Sequence, residues 1–456
     1  MVIDQLSRYV AEATSTEVPE EAARKGAHHL LDSIAAIVSG ARLPAGRAGA
    51  AWSSRNSGPE EATVVGSQQR NSARHAALVN GMSAHADETD DSYEPSRTHP
   101  GCGIVPAALA IAERDGSTGS ELLRAVIVGY DLAGRINPAL WPEYRFMRGQ
   151  SVDTHLHSTH AIGSLWGATA AAGALAGLSP EHLRYLFSYS AQQTAGIMSW
   201  LRDVEHIEKA YVFAGMGASN AVEGVTFVEA GWPGVRDVFS GFPNFFQALG
   251  HESEPELLVN DLGERFVICA TNLKRFSVGS PCQAPLQALI DMSREEGLYR
   301  GEITHVECIL STAQTDTVGD PDMPDICLPY LLDVALNDGD VTFASAHDLE
   351  RFARWKAGER DPRIEVVSDD DMAPTRQAIV TITMKDGSSH RRHEDSIVGS
   401  PGNPMDEEGV VSKARDLCAP VLGEDRAEKL CDTILNLDQV DDCRDLAALL
   451  SAEEVD

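Results

Sequence analysis

Residues 161–178 read Ala-Ile-Gly-Ser-Leu-Trp-Gly-Ala-Thr-Ala-Ala-Ala-Gly-Ala-Leu-Ala-Gly-Leu, and this stretch decides the fold. Small residues dominate it, so the run is too thinly hydrophobic for a membrane span. A helix covered with Gly and Ala lets neighbouring helices approach closely, as in the core of a helical protein. The stretch therefore predicts a helix that packs closely against other helices in the core of the protein.

Helical signals surround this stretch on both sides. From Pro19 to Gly40, apolar residues recur with the period of an α-helix. Ser120 and Ser179 are expected to cap helices, and Pro180 fits a first helical position. Further helices are predicted at 104–114, 120–135, 161–177, 180–196 and 215–231.

The pattern changes after about residue 270. Residues 303–310 and 377–384 are β-branched or alternating, which predicts strands. They are interleaved with helical patterns at 283–297, 327–337 and 346–356, as in a small α/β unit. The polar tract 356–374 is expected to be a surface loop, and helices return from Met405. The fold class is therefore mainly α.

Composition limits the function. A chain of 456 residues suggests two domains. Its net charge of −32, from 69 acidic and 37 basic residues, argues against nucleic-acid and anionic-membrane partners. The eight cysteines have no zinc-like or disulfide spacing, and no secretory signal or long apolar run is present. These features predict a cytoplasmic protein.

Three segments place ionisable side chains beside small-residue runs. They are His85 to Gly101, with the carboxylates Asp87, Glu88, Asp90 and Asp91 soon after His85; His155 to His160, which contains His157; and the helix entrance at Lys209. Packing does not require so many ionisable groups, whereas proton transfer on a charged small molecule does. The chain is predicted to be an enzyme.

Alternatives exist for each segment. His99 precedes a helix with Pro106 in its expected first turn, so it suits a neutral base or an anion site, although a structural loop histidine fits the spacing as well. The carboxylates after His85 and the spacing of His155, His157 and His160 do not match known metal motifs. No nucleotide-binding loop or serine-esterase motif is present.

Several motifs, in order along the chain, resemble the MmgE/PrpD family. They are Leu31-Asp-Ser-Ile-Ala, the His85 to Ala110 block with Asp90-Asp91 and His99-Pro-Gly, Gly129-Tyr-Asp, His157-Ser-Thr, Lys209 with Ala214-Gly215, Lys274 with Gln283-Ala-Pro, Tyr330, and Gly399-Ser-Pro-Gly-Asn-Pro404. The family includes 2-methylcitrate dehydratases, cis-aconitate decarboxylases and iminodisuccinate epimerases.

The resemblance implies a large all-helical domain built from both chain ends, 1–268 and 400–456, and an α/β lid domain at 269–399. It also implies a homodimer, no organic cofactor and no metal. The implied catalytic residues are His99, His157, Lys209, Asp90 and Tyr330. The implied substrate-binding residues are Glu88, Asp91, Ser92, Lys274 and Gln283.

Two departures from the family pattern stand out. Residues 87–91 read Asp-Glu-Thr-Asp-Asp where many members have an apolar-Asp-aromatic-Asp-Asp run, and one extra residue precedes His99. Gln283 stands where many members have a histidine. The missing imidazole weakens the expectation of decarboxylase or methylcitrate activity.

The resulting hypothesis is a cofactor-independent lyase that dehydrates a small hydroxy di- or tricarboxylate of the 2-methylcitrate type. His99 or His157 removes the proton next to a carboxylate, and lysines with helix N-terminal amides stabilise the resulting anion. The alternatives are an epimerase of an iminodisuccinate-like dicarboxylate, a cis-aconitate-type decarboxylase and a non-catalytic binding protein.

Overall fold

The computed structural model describes residues 1–142 and 156–452. His155, named above as a candidate, lies outside the described residues. The helices are α1 (Val2–Glu12), α2 (Glu20–Gly40), α3 (Pro44–Arg55), α4 (Ala73–Ala84), α5 (Pro100–Asp115), α6 (Gly119–Leu140), α7 (Thr159–Leu175), α8 (Pro180–Gln193), α9 (Ile207–Ala210), α10 (Met216–Glu229), α11 (Phe245–Leu249), α12 (Gln283–Glu295), α13 (Thr312–Val318), α14 (Leu328–Asp338), α15 (Phe343–Ala346), α16 (Leu349–Lys356), α17 (Glu407–Leu422), α18 (Glu424–Leu435) and α19 (Ala447–Leu450). The prediction of a mainly α protein is confirmed.

Contacts divide the chain into two compact units. The helical unit consists of Met1–Ala86, Asp90–Thr271 and Val410–Asp456. The sheet unit consists of Asp87–Thr89 and Asn272–Gly409. Each unit is described by itself, and the domain bounds given above stay a prediction.

The helical unit is built around α7, which packs against α5, α6 and α10. All residues of α7 that face these helices are buried, and the approach is close because glycines meet there. A Cβ added at Gly167 would lie 2.8 Å from the Gly129 backbone oxygen of α6, and one at Gly103 of α5 would collide with Ser164. The predicted close packing of this helix in a helical core is thereby confirmed, and the structure adds that the helix lies at the centre of the unit.

The sheet unit has a four-stranded sheet in the order β4-β3-β5-β6. Its strands are β3 (Ile303–Ser311), β4 (Ile364–Asp369), β5 (Ala378–Met384) and β6 (Ser389–Glu394), while β1 (Ala62–Thr63) and β2 (Arg70–Asn71) form a separate pair in the helical unit. β3 runs parallel to β4 and antiparallel to β5, with Val306 opposite both Ile364 and Ile382. The core lies between this sheet and the apolar faces of α12 and α14.

Some local predictions are confirmed and others are wrong. Ser179 caps α8 with Pro180 at its start. The tract 356–374 is not all loop, because β4 pairs there with the buried strand β3. Ser120 does not cap α6. The N-cap residue is Thr118, two residues before Ser120, and it forms a capping box with Glu121.

The start of α5 also differs from the prediction. The helix begins at Pro100 rather than at 104, so Pro106 lies inside it instead of in its first turn. His99 becomes the N-cap residue of the helix. Among the described residues, no helix combines the length and apolar character that crossing a membrane requires.

A second close contact joins α4 to the π-helical turn Tyr211–Gly215, which connects α9 to α10. A Cβ added at Gly81 of α4 would lie 2.8 Å from the Gly215 Cα and 2.9 Å from its backbone nitrogen. Because backbone cannot move aside as a flexible side chain can, this contact requires glycine at position 81.

We expect Gly81→Ala to push α4 and the π-helical turn apart and to destabilise the fold by about 1–3 kcal/mol, as overpacking does. The matched control is Gly402→Ala, because a Cβ at Gly402 meets nothing within 4 Å. Thermal unfolding followed by circular dichroism measures both variants. Equal midpoints for the two variants would contradict the close-packing account.

Candidate functional site

Asp90 lies between two imidazoles in the helical unit. Its Oδ2 is 2.8 Å from Nδ1 of His85, and its Oδ1 is 3.1 Å from Nδ1 of His99. Asp90 and His85 are fully buried, whereas the His99 side chain is 11% exposed. With Nδ1 donating to Asp90, Nε2 of His99 has no hydrogen-bond partner in the described part of the chain. His99 therefore forms an oriented Asp–His pair with one ring nitrogen available for proton transfer.

The positions of both histidines follow from helix ends. His85 is the C-cap residue of α4, and His99 is the N-cap residue of α5. Pro100 favours the start of a helix because its missing N–H would have no partner there. The chain between the two helices is short, so Asp90 can reach both rings.

Aromatic stacking extends this pair into a larger group around Phe213, which we name the imidazole cluster: His85, His99, His160 and His206. The ring of Phe213 stacks on His160 at 3.9 Å and on His85 at 4.4 Å between centroids. His206 lies 5.2 Å from His85, again between centroids. The members of the cluster contact one another through planar aromatic rings, which have few rotatable bonds.

Lys209 brings a cation to the cluster. Its Nζ lies 5.2 Å from the ring centroid of Phe213 and 5.7 Å from that of Trp200, within the range of cation–π attraction. Lys209 is on α9, directly before the π-helical turn that carries Phe213. Such turns are rare and are frequent at functional sites.

His157 and His160 separate although they are three residues apart. Ser158 caps α7, so His157 precedes the helix, where its ring stacks on Trp141 at 6.2 Å. His160 lies in the first turn and contacts Phe213. The structure thus brings His160 to the imidazole cluster and His157 to Trp141. The catalytic role that the sequence analysis gave to His157 stays a prediction.

Burial and charge set the protonation states at Asp90. Burial alone would raise the pKa of Asp90, but electrostatic attraction to the two imidazoles and the hydrogen bonds from them hold it well below its usual value. Burial lowers the pKa of His85, and Asp90 reverses only part of that effect. At neutral pH the carboxylate is ionised and His85 is neutral.

Asp91, the next residue, has a different set of partners. Its Oδ2 accepts hydrogen bonds from Nδ1 of His29 at 2.8 Å and from the hydroxyl of Tyr130 at 2.6 Å. Its Oδ1 accepts the backbone N–H of Gly101 at 3.0 Å. Asp91 is fully buried. The α5 amide expected to bind a substrate carboxylate therefore binds Asp91, and substrate binding by Asp91 stays a prediction.

His85, Asp90 and His99 also form a set of potential metal ligands, whose donor atoms lie within 4.8 Å of one another. Imidazole and carboxylate are ligands that transition metals accept. However, the hydrogen bonds of 2.8 and 3.1 Å account for this geometry without a cation. We therefore interpret the set as a hydrogen-bonded network.

The sheet unit holds a second group of predicted residues. Nζ of Lys274 donates to the Glu88 backbone oxygen at 2.5 Å and lies 3.7 Å from the Glu88 carboxylate. The backbone N–H of Glu88 donates to Asp325 at 3.3 Å. Both Lys274 and Glu88 are buried. The structure thus places Lys274 against Glu88, while the roles of both residues in substrate binding stay predictions.

Sequence reasoning missed His347, which is in the same unit. Its Nε2 lies 2.9 Å from Oδ2 of Asp87, and its Nδ1 donates to the Phe343 backbone oxygen at 2.8 Å. Burial lowers the pKa of His347, but Asp87 outweighs burial and raises it to about 9. Burial alone would raise the pKa of Asp87, but His347 and Thr89 lower it overall. Nothing near His347 in the sequence indicates this partner, 260 residues away.

Three further predicted residues have structural contacts. The amide nitrogen of Gln283 donates to the backbone oxygens of Phe276 and Val278 at 2.9 and 3.1 Å. Tyr330 is buried in the sheet unit, and its hydroxyl donates to the Ser345 backbone oxygen at 3.0 Å. Burial raises the pKa of Tyr330 to about 12. Ser92 is buried in the helical unit. The functional roles assigned to these residues stay predictions.

The chain is similar to known proteins over most of its length. A model of the MmgE/PrpD N-terminal domain matches residues 4–258, and a model of the MmgE/PrpD C-terminal domain matches residues 276–439. A cis-aconitate decarboxylase of Aspergillus terreus is 25% identical, covering 99% of this chain and 96% of the relative. A cis-aconitate decarboxylase of Mus musculus is also 25% identical, covering 84% of this chain and 79% of the relative.

The His347–Asp87 pair predicts a pH dependence of stability. Because the pKa of folded His347 is about 9, above the usual 6.5, its contribution is complete below pH 6.5 and is lost as pH rises through 9. We expect His347→Gln to lower stability at pH 6.5 by up to about 3 kcal/mol and to have little effect at pH 10. Thermal midpoints of both proteins, measured between pH 6 and 10, provide the test.

The matched control is His182→Gln, because His182 is exposed on α8. This variant is expected to follow the wild-type curve. A constant difference between wild type and His347→Gln across the whole range would refute the pH-dependent pair.

Proposed function

The chain belongs to the MmgE/PrpD family, and from this premise we propose that it is a cofactor-independent lyase acting on a small di- or tricarboxylate. Its chemistry is proton transfer at the carbon next to a carboxylate. The observation that carries this proposal is the pair of hydrogen bonds by which Asp90 holds His85 and His99, with Nε2 of His99 available.

In the dehydration direction, Nε2 of His99 removes the proton next to a substrate carboxylate. The developing imidazolium is stabilised by the ionised Asp90 at its Nδ1. The ammonium of Lys209 stabilises the negative charge that spreads onto the substrate carboxylate. His160 is the group that we assign to protonation of the departing hydroxyl, because its ring centroid lies 5.2 Å from that of His99. The substrate favoured by this reaction is a hydroxy-polycarboxylate such as 2-methylcitrate.

Decarboxylation is the second candidate, favoured by the names of the relatives, which are cis-aconitate decarboxylases. Here the carbon–carboxylate bond breaks, CO₂ leaves, and the electron pair delocalises onto the remaining carboxylate near Lys209. His99, starting as an imidazolium, then delivers its proton to carbon. The same Asp–His pair serves both reactions. His99 starts without a proton on Nε2 in the dehydration and as an imidazolium in the decarboxylation, and only the dehydration needs a further acid for the departing hydroxyl.

The comparison with family patterns at Gln283 does not decide between these reactions. Gln283 stands where many members have a histidine, and both of its amide hydrogens are donated to backbone oxygens in the sheet unit. Its contacts support a structural role, so we base neither reaction on it. We also propose that the protein is a cytoplasmic homodimer. Lys274 and Glu88 are proposed to take part in binding the substrate.

Proton NMR in D₂O identifies the reaction. The metal-stripped protein is incubated with citrate, 2-methylcitrate, cis-aconitate, malate, tartrate and aspartate-derived dicarboxylates. A new alkene with loss of water supports the dehydratase, and loss of CO₂ from cis-aconitate supports the decarboxylase. Deuterium incorporation without an alkene would instead indicate the epimerase alternative. Binding without exchange or turnover would contradict the enzyme proposal.

A pair of variants then tests the base. We expect His99→Gln to lower kcat by roughly 10²–10⁴, the range for loss of a general acid–base group, without unfolding the protein. His157→Gln is the matched control, because His157 lies against Trp141, and its kcat is expected to stay within a few-fold of wild type. Circular dichroism confirms folding of both variants. A larger loss in His157→Gln than in His99→Gln would reverse the assignment.

A further inference from the structure

His85 is the one member of the Asp90 network that the proposed reaction does not use. Its side chain is fully buried, and its Nε2 has no hydrogen-bond partner in the described ranges 1–142 and 156–452. A buried N–H donor without an acceptor is costly, whereas a bare ring nitrogen costs less. His85 is therefore neutral, carries its proton on Nδ1 and donates it to Asp90. With no exposure and no free proton, it does not contact substrate.

The surroundings of His85 hold its ring in place. The ring stacks on Phe213 with an interplanar angle of 16°, and it contacts the edge of His99. The backbone N–H of His85 donates to the Gly81 carbonyl at the end of α4. A ring fixed on two sides and anchored to a helix end is a rigid donor for the Asp90 carboxylate.

A rigid donor restricts how the carboxylate can turn. Asp90 uses Oδ2 for His85 at 2.8 Å, which leaves Oδ1 directed at Nδ1 of His99 at 3.1 Å. The longer contact is the one that a rotation of the carboxylate would break. The hydrogen bond made by one ring nitrogen of a histidine decides which nitrogen carries the proton. The orientation of Asp90 consequently decides the tautomer of His99.

We propose that His85 is a positioning residue for His99, which acts by holding Asp90 so that His99 keeps its proton on Nδ1 and presents an unprotonated Nε2. The proposal rests on the proposed function only in one respect, which is that Nε2 of His99 transfers a proton to or from the substrate. The geometric part, which concerns the tautomers of two histidines, stands independently of any substrate.

The first test measures histidine tautomers directly and needs no activity assay and no substrate. The ¹⁵N chemical shifts of ring-labelled histidines are measured in the wild-type protein at pH 8, and the signals are assigned with His85→Asn and His99→Gln. Both His85 and His99 are expected to show the Nδ1–H tautomer, in contrast to exposed histidines, which in water favour Nε2–H. An Nε2–H signal at either residue would overturn the proposal.

The second test compares two substitutions at position 85. His85→Asn places an amide donor near the position of Nδ1, while His85→Leu removes the donor. We expect His85→Leu to give a mixture of His99 tautomers and to lower kcat by roughly 10- to 100-fold with little change in KM, as losing an orienting partner does. His85→Asn is expected to retain the His99 tautomer and to stay within a few-fold of wild-type kcat.

The outcomes separate this proposal from the proposed function. If His85→Leu is folded and keeps both the His99 tautomer and full kcat, the positioning role is wrong even though the enzyme is active. If no tested polycarboxylate reacts, the wild-type and His85→Asn tautomers still decide the geometric part. If His85→Leu does not fold, a loss of the Nδ1–H tautomer at His99 in Asp90→Asn supports the role of Asp90, and its retention there overturns the proposal.

Discussion

The helical unit depends on the burial of two consecutive carboxylates, Asp90 and Asp91. Moving an ionised carboxylate out of water costs several kcal/mol unless partners replace the lost hydration. Asp90 is satisfied by the imidazoles of His85 and His99, and Asp91 by His29, Tyr130 and the amide of Gly101. These partners come from the ends or interiors of α2, α4, α5 and α6, so the position of each helix is constrained by the same dipeptide.

The two carboxylates together fix the position of the His99 ring and of the His99 backbone. Asp90 holds its side chain, and Asp91 holds the first turn of the helix that His99 caps. The contact is close: a Cβ added at Gly101 would collide with Ser33 and lie 2.7 Å from the Tyr130 hydroxyl. A histidine fixed through its ring and through its backbone loses little entropy when it reacts, which is the advantage of a preorganised site.

The sequence predicted many of the helices, and each wrong or missing prediction has a physical reason. The small-residue stretch 161–178 predicted a closely packed core helix because a Gly- and Ala-rich surface lets other helices approach, and Pro180 indicated a helix start because its missing N–H needs no partner there. The tract 356–374 was predicted to be a loop because it is rich in charged residues. It contains the short strand β4, which is stabilised by pairing with β3 and not by its own sequence pattern. His347 was missed because its partner Asp87 is remote in sequence. Spacing alone could not show that His157 and His160 lie in different surroundings, because it does not show where α7 begins, and Ser158 caps that helix between them.

For the polycarboxylate substrate that we propose, the negative net charge of the protein makes nearby cations important. A net charge of −32 repels such a ligand, although salt screens that field beyond about 8 Å under physiological conditions. Within that distance, the ammonium of Lys209 is held over Phe213 and Trp200. An ammonium over aromatic faces is partly stripped of water, which strengthens its attraction for a carboxylate. In both proposed reactions negative charge develops on a substrate carboxylate, so an ammonium at this place is suited to favour the transition state over the bound substrate. In the proposed mechanism, loss of water also needs a group that protonates the departing hydroxyl, and His160 is the residue to which we assign that step.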